Sequence, residues 1–318
     1  MQVSRWALIF VLLFVPTVVA AQQKVPTVGF LSIGRQIPPE ILARGLRDFG
    51  YVVGKNIAFE YRFGEGRHEK MVPLARELVD RKVEVILAAG DEAIAAAQEA
   101  TRTIPIVMFA CDALGVGFIQ SLAKPGGNTT GVTCVTSDFA SKRIGIIRQI
   151  VPSLRKLAVL YNPLNKSKPL DFQYTRNAAA TLGIEVTPFP ASEREEIERA
   201  FVHLDNNPHD AIAVLDESWI LLHAQRIAEL TLARKLPDMR SFREGVAAGG
   251  LVSYGPSVRD MLMSAARFVP KVLAGTSPAE LPVEQPTRFE LVVSKVRARA
   301  LGINLPDTLV SVADDVIE

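Results

Sequence analysis

Residues 124–137 read KPGGNTTGVTCVTS. Pro125, Gly126 and Gly127 end a regular alternation of strand-like and helix-like segments, and residues 129–135 then form one short β-branched run. Beyond it the alternation starts again. A connector that is itself a strand implies two α/β lobes joined by an ordered hinge rather than a floppy tether. If the lobes are interwoven, the chain must cross again, and LVSYGP (251–256), just after Gly249 and Gly250, is the candidate.

Before the hinge, VPTVGFLSI (25–33), IAFEYRF (57–63), VEVILAA (83–89) and IPIVMFA (104–110) read as strands, with helical spacing over 39–49, 69–81 and 91–101. After it, helices are expected at 140–150, 171–182, 193–204, 223–235 and 257–273. Strands are expected at 157–161, 184–189, 211–215, weakly at 236–242, and at 251–254. A last strand (288–293) and helix (295–301) close the chain. Near-continuous apolar strands separated by helices indicate parallel sheets covered on both faces. No residue-level repeat points to a solenoid.

The first residues read as a targeting segment. Arg5 is the sole charge before Lys24, residues 7–15 are continuously apolar, and Val19, Ala20 and Ala21 are small where a signal peptidase would cut. The apolar run is shorter than the ~20 residues of a membrane span. Residues 1–21 are therefore expected to be a cleaved signal peptide, giving a soluble, periplasmic product that starts near Gln22. No Cys stands at the cleavage point for a lipid anchor. The whole chain carries 36 Lys and Arg against 34 Asp and Glu, a balance that argues against non-specific nucleic-acid binding. Cys111 and Cys134 are the two cysteines, each near a strand end. In an oxidising compartment they could pair, or they could be two buried thiols acting as small hydrophobes.

Open parallel sheets bind ligands beyond the carboxyl ends of their strands. In the first half these ends hold Ser32, Ile33 and Arg35, then Gly90 and Asp91, then Asp112. They are small and polar and lead into helices, whose free N–H groups suit a carboxylate or phosphate. In the second half they hold Tyr161 and Asn162, Asp216 and Trp219, Phe242 and Arg243, and Tyr254. Those four aromatics would suit the flat apolar part of a small ligand, or would simply close the core. Asp91 reads first as a helix cap and second as a ligand contact. Asp112 and Asp216 follow apolar strands, where a carboxylate is costly unless it meets a cation such as a ligand ammonium.

Catalytic and cofactor signatures are missing. His68, His203, His209 and His223 are scattered without metal-ligand spacing, and no CxxC, GxSxG, Walker A or GxGxxG motif occurs. Binding without any cofactor is favoured over catalysis.

Five stretches carry a resemblance: GLRDFGYVVGKNIAFEYRFGEG (45–66), LARELVDRKVEVILAAG (74–90), SLAKPGGNTTGVT (121–133), FREGVAAGGLVSYGPS (242–257) and LPVEQPTRFELVVSKVRARALGINLP (281–306). The chain resembles ABC-transporter substrate-binding proteins of the tryptophan/tyrosine-transporter type, with the periplasmic-binding-protein type I fold. It departs from that family at Cys111-Asp112-Ala113, where Gly-Asp-Pro is common, and at Ala89-Gly90-Asp91, where Thr-Gly-Gly is common. The resemblance implies two doubly wound lobes, 25–133 with 256–281 and 134–255 with 282–318, joined by about three crossings, the third near 281–288. It implies a monomeric receptor that closes around a small molecule, an aromatic or other amino acid being favoured, and delivers it to a membrane permease driven by an ATPase. Ser32, Gly90, Asp112, Asn162, Asp216 and Tyr254 carry over as ligand-site positions, with Thr136 and Ser137 on the cleft floor. The alternatives are a sensor subunit of a signalling system with the same fold, separable by its neighbouring genes, and an exported α/β enzyme using Asp112 and Asp216.

Overall fold

A computed structural model of the chain describes residues 24–34 and 39–318. The expected signal peptide and Arg35 lie outside the described residues. Strands β1 (Thr27–Ser32), β2 (Ala58–Phe63), β3 (Val85–Ala89), β4 (Ile106–Cys111) and β5 (Thr129–Cys134) form one wholly parallel sheet in the order β2-β1-β3-β4-β5. Helices α1 (Pro39–Arg47), α2 (Met71–Asp80) and α3 (Asp91–Ala100) connect them.

The second sheet has seven strands: β6 (Lys156–Tyr161), β7 (Glu185–Pro190), β8 (Ala211–Val214), β9 (Asp238–Arg240), β10 (Val252–Pro256), β11 (Phe289–Ser294) and β12 (Asp315–Ile317). Their order is β12-β11-β10-β9-β8-β6-β7. Helices α4 (Ser137–Ile150), α5 (Lys168–Ala180), α6 (Arg194–Asn206), α7 (Ser218–Leu222), α8 (Ala224–Ala233) and α9 (Arg243–Ala247) precede β10; α12 (Lys295–Leu301) and α13 (Asp307–Ser311) follow β11. The fold is the two-lobed parallel α/β architecture expected from sequence, with one departure. β10 and β11 are antiparallel. The chain leaves this sheet at the end of β10 and returns at the same end, where Pro256 pairs with Phe289, so β11 must run backwards.

Between those strands, α10 (Val258–Ala266) and α11 (Phe268–Leu273) pack on the first lobe, against α1 and β3 to β5. A side chain at Gly45 of α1 would collide with the Met263 carbonyl of α10, so the close helix crossing requires glycine there. The single helix expected over 257–273 breaks at Arg267. Pro270 lacks the N–H that a continuous helix needs, and it sits in the first turn of α11, where that loss is harmless. Residues 281–284 then line the edge of the first sheet: Glu284 donates its N–H to the Gly131 carbonyl at 2.9 Å, and Thr133 donates to the Glu284 carbonyl at 3.0 Å. The chain thus passes between sheets three times: after β5, after β10 and before β11.

Three apolar clusters fill the molecule. One, with Phe30, Leu262 and Phe268, lies under α1, α10 and α11, and one, with Ile147 and Val293, belongs to the second sheet. The third contains residues of both lobes, Trp219 among them. Among the described residues no helix is long and apolar enough to cross a membrane.

Candidate functional site

The carboxyl ends of the two sheets face each other and are in contact. Gly90 opens α3 at φ +94°, a conformation that disfavours any side chain, and a Cβ there would lie 3.2 Å from Oγ of Ser218 in the other lobe. Asp91, the next residue, accepts the N–H of Ser167 from the loop before α5 at 2.8 Å. The Asn165 amide donates to both Glu92 carboxylate oxygens, at 3.1 and 3.2 Å. The Asn162 amide, wholly buried, reaches Glu92 Oε1 at 3.5 Å and Glu217 Oε1 at 3.3 Å. The bonds to Asp91 and Glu92 join first-lobe acids to second-lobe donors, so the two lobes are tied together at this point.

Glu92 and Glu217 are electrostatically expensive. Glu217 also caps α7, accepting the N–H groups of Trp219 at 2.7 Å and Ile220 at 2.9 Å. Burial nevertheless outweighs these donors and the nearby Lys168 charge, and its pKa is pushed up to about 7. Glu92 stands well above the usual carboxylate range, through burial first and then through repulsion by Glu217 and Asp91. Asp91 is raised as well, again chiefly by burial.

Next to these contacts lies an inner chamber of about 60 Å³, the scale of an amino-acid head group rather than a whole side chain. Asp91 and Glu217 bring carboxyl groups to its wall, Lys168 brings an amine, and Phe109 and Phe242 bring aromatic surface. Phe109, Ser218, Leu221 and Val258 also border an outer chamber of about 470 Å³, whose wall includes Ile41, Leu262, Glu244 and Arg259. The two form one slot, mostly apolar along its length, with Asp91, Glu217 and Lys168 at its inner end.

The structure places the expected site residues unevenly. Gly90, Asp91, Asp216 and Phe242 line the inner chamber and Ser32 the outer one. Asp216 is not available to a ligand ammonium, however. Its carboxylate pairs with Arg240 at 2.6 Å and accepts the N–H of Ser241 at 2.8 Å, with both partners of the ion pair wholly buried. Asp112 also has a different role. It lies outside both chambers, with φ +54°, and accepts the N–H of Thr136 at 3.0 Å as well as the Thr136 hydroxyl. It ties the end of β4 to the first crossing, and Thr136 is its partner rather than a ligand contact.

The aromatic expectations are also redistributed. Trp219 is 3% exposed and borders neither of these chambers, but it lines a wider cleft of about 1090 Å³ together with Gly66, His68, Ser192 and Arg226. It crosses to the first lobe beside Gly66 and His68, with His223 edge-on at 4.7 Å between ring centroids. Tyr161 stacks on Phe172 and Tyr254 on Phe289, while Ile33 is wholly buried core. Asn162 is an interlobe tie, and Ser137 is exposed at the start of α4. Arg243 pairs with Asp315 and Glu290. Cys111 and Cys134 sit opposite each other in the β4–β5 register and form a disulfide.

Several residues escaped the sequence reading: Glu92, Asn165, Ser167, Lys168, Glu217 and Arg240. The doublets Asp91-Glu92 and Asp216-Glu217 were visible, but not which acid of each would find a partner. Lys168 is 3% exposed and pairs with Asp171 at 3.3 Å, and Asp171 also faces Arg143 at 3.6 Å. A lysine at a helix start with an acid three residues on was the available signal. Among the described residues no group of three His, Cys, Asp or Glu side chains is arranged to hold a metal.

The family model described as ABC transporter substrate binding protein matches residues 40–317. The chain belongs to that family. This substrate-binding protein is 26% identical over 263 residues to a tyrosine-binding protein of Clostridioides difficile (strain R20291), an alignment covering 82% of the present chain and 75% of the relative. Its fold matches a conserved domain protein from Vibrio cholerae O1 biovar El Tor, with TM-score 0.86 and 25% identity over 92% of this chain and 100% of the other. It also matches an ABC domain from Streptococcus pneumonia solved in complex with L-Trp, with TM-score 0.84 and 24% identity over 92% and 99% of the two chains.

Proposed function

We propose that this substrate-binding protein is the extracytoplasmic receptor of an ABC importer and that its ligand is an α-amino acid with an apolar, preferably aromatic, side chain. The observation that carries this reading is the slot between the two lobes: Asp91 and Lys168 at a head-group-sized inner end and an apolar outer chamber. Lys168 would take the ligand carboxylate, with Asp91 on the ammonium side and Phe109 and Phe242 along the side chain. The tyrosine and tryptophan in the names of two similar proteins point the same way. The protein is a monomer that leaves the cytoplasm through the signal sequence at 1–21. Ligand touching both lobes stabilises the closed form, and the permease with its ATPase reads that form; it binds rather than catalyses.

The test is titration of the protein without residues 1–21 with a panel of amino acids, nucleosides and small carboxylates, read by melting temperature and by Trp219 fluorescence. Trp219 is the sole Trp outside the first 21 residues and contacts the opposite lobe. A response confined to apolar and aromatic amino acids supports the reading. Silence across the panel, or a response to nucleosides alone, refutes it.

A further inference from the structure

Arg44 and Arg47 of α1 and Arg259 of α10 border one bay of about 460 Å³ on the seam between the two helices, together with Glu40 and Ile41. Neither the three arginines nor Glu40 enters an ion pair among the described residues. Elsewhere on the surface, arginines have acids to meet: Arg62 has Glu60 and Glu77, Arg226 has Glu198 and Glu229, and Arg234 has Asp205. The bay arginines are brought together by the packing beneath them. Arg44 adjoins Gly45, where α1 meets the Met263 carbonyl of α10 so closely that no side chain fits. Glu40 offsets one of the three charges and leaves the bay cationic. Like charges around one bay repel, and an anion seated among them removes that repulsion. The planar guanidinium fork suits a carboxylate or a phosphate.

The bay is the outward continuation of the ligand slot, because Ile41 and Arg259 belong to the walls of both the bay and the outer chamber. From its inner end the slot passes Asp91 and Lys168, then Phe109, Leu221, Val258 and Leu262, and reaches guanidinium groups at its mouth. The outer chamber of about 470 Å³ falls in the ~300–1,000 Å³ range of pockets that enclose drug-sized ligands, more room than one aromatic side chain fills. Resting on the amino-acid reading above, we propose that the preferred ligand carries a second anionic group at the end remote from its α-amino head, received by Arg259 with Arg44 and Arg47. The C-terminal carboxylate of a short apolar peptide and an acidic group on an aromatic side chain both supply this chemistry.

Calorimetric titration of the protein without residues 1–21 tests this with two matched pairs of probes. L-Phe-L-Phe is compared with its C-terminal amide, and para-carboxy-L-phenylalanine with L-Phe. The wild type should bind the anionic member of at least one pair about tenfold or more tightly than the neutral member, and the pair that responds identifies the source of the anion. R259Q should bring that ratio close to one. R44Q/R47Q, whose residues border the bay alone, should lower the ratio and leave L-Phe affinity unchanged. No anionic preference in the wild type, or a preference that survives in R44Q/R47Q/R259Q, overturns the anion site alone while L-Phe still binds. Failure of all four probes to bind overturns the amino-acid reading as well. The wild-type ratios decide the matter even if a variant does not fold.

Discussion

Raising the pH from 5 to 8 should loosen the contact between the lobes at Glu92 and Glu217. In the closed form Glu217 is held at a pKa of about 7 by burial, against an ordinary value near 4.5 once the cleft opens and water returns. A carboxyl with a raised pKa binds a proton on closing. Below pH 4.5 both forms carry it, and closure is independent of pH. Between 4.5 and 7 the closed form must either take up a proton or bury a charge, so closure weakens as pH rises. Above 7 both forms are ionised and the full penalty stands. At roughly 1.4 kcal/mol per pH unit, the change from pH 5 to 8 costs closure on the order of 2–3 kcal/mol, one to two decades in affinity. Asn162, Asn165, Asp91 and Lys168 face the pair, and of these the two amides cannot titrate. Isothermal titration with the best-bound amino acid at half-unit pH steps measures the profile. E217Q keeps an oxygen for the Trp219 and Ile220 N–H groups and should flatten the profile while tightening binding at pH 8. The E92Q/E217Q double variant should flatten it further. A wild-type profile level across pH 5–8, or one whose slope survives in the double variant, would refute the reasoning.

Replacing Arg240 by Met should cost about 3–5 kcal/mol in urea unfolding, because it leaves the buried Asp216 without its cation; a loss below 1 kcal/mol would show that the backbone N–H groups alone suffice. Gly90→Ala should lose roughly 1 kcal/mol of stability from its positive φ. It should also bind ligand less tightly, since the new methyl meets Ser218. Small-angle scattering should then show a larger open fraction at equal ligand concentration. Reducing Cys111–Cys134, which closes a loop with a sequence separation of 23, should destabilise the first lobe by up to about 3 kcal/mol in the chain-entropy account. A calorimetric scan with and without reductant measures it.

Most of the fold was legible because strands buried on both faces are written as unbroken apolar runs, and glycines or prolines punctuate them. The elements left unassigned, α7, α9, α13 and β12, have three to five residues each, too few to display a period. The site was legible only as a place. Strand ends identified where acids, amides and aromatics would gather, but not which would face one another. Asp216 and Glu217 are adjacent in sequence, and their fates differ because Arg240, 24 positions on, reaches only the first. Trp219 follows an acidic, polar turn and so read as a ligand contact. Its ring packs beside Gly66 and His68 from a segment about 150 positions earlier, at the wall of the wide cleft, a pairing no local pattern encodes.

The passage of α10 and α11 back onto the first lobe also bears on how the chain is made. Phe30, Val85 and Val107 of the first sheet share one apolar cluster with Met261, Leu262 and Phe268. Until residues 258–273 have been synthesised, that face of the sheet is only partly covered, chiefly by Leu42 and Leu46 of α1. At ~5–20 residues per second, the first lobe waits on the order of ten seconds or more after its fifth strand has been made. The two lobes therefore cannot mature one after the other like beads on a string, and a truncation anywhere before residue 273 should leave the first sheet sticky rather than yield a folded half-molecule.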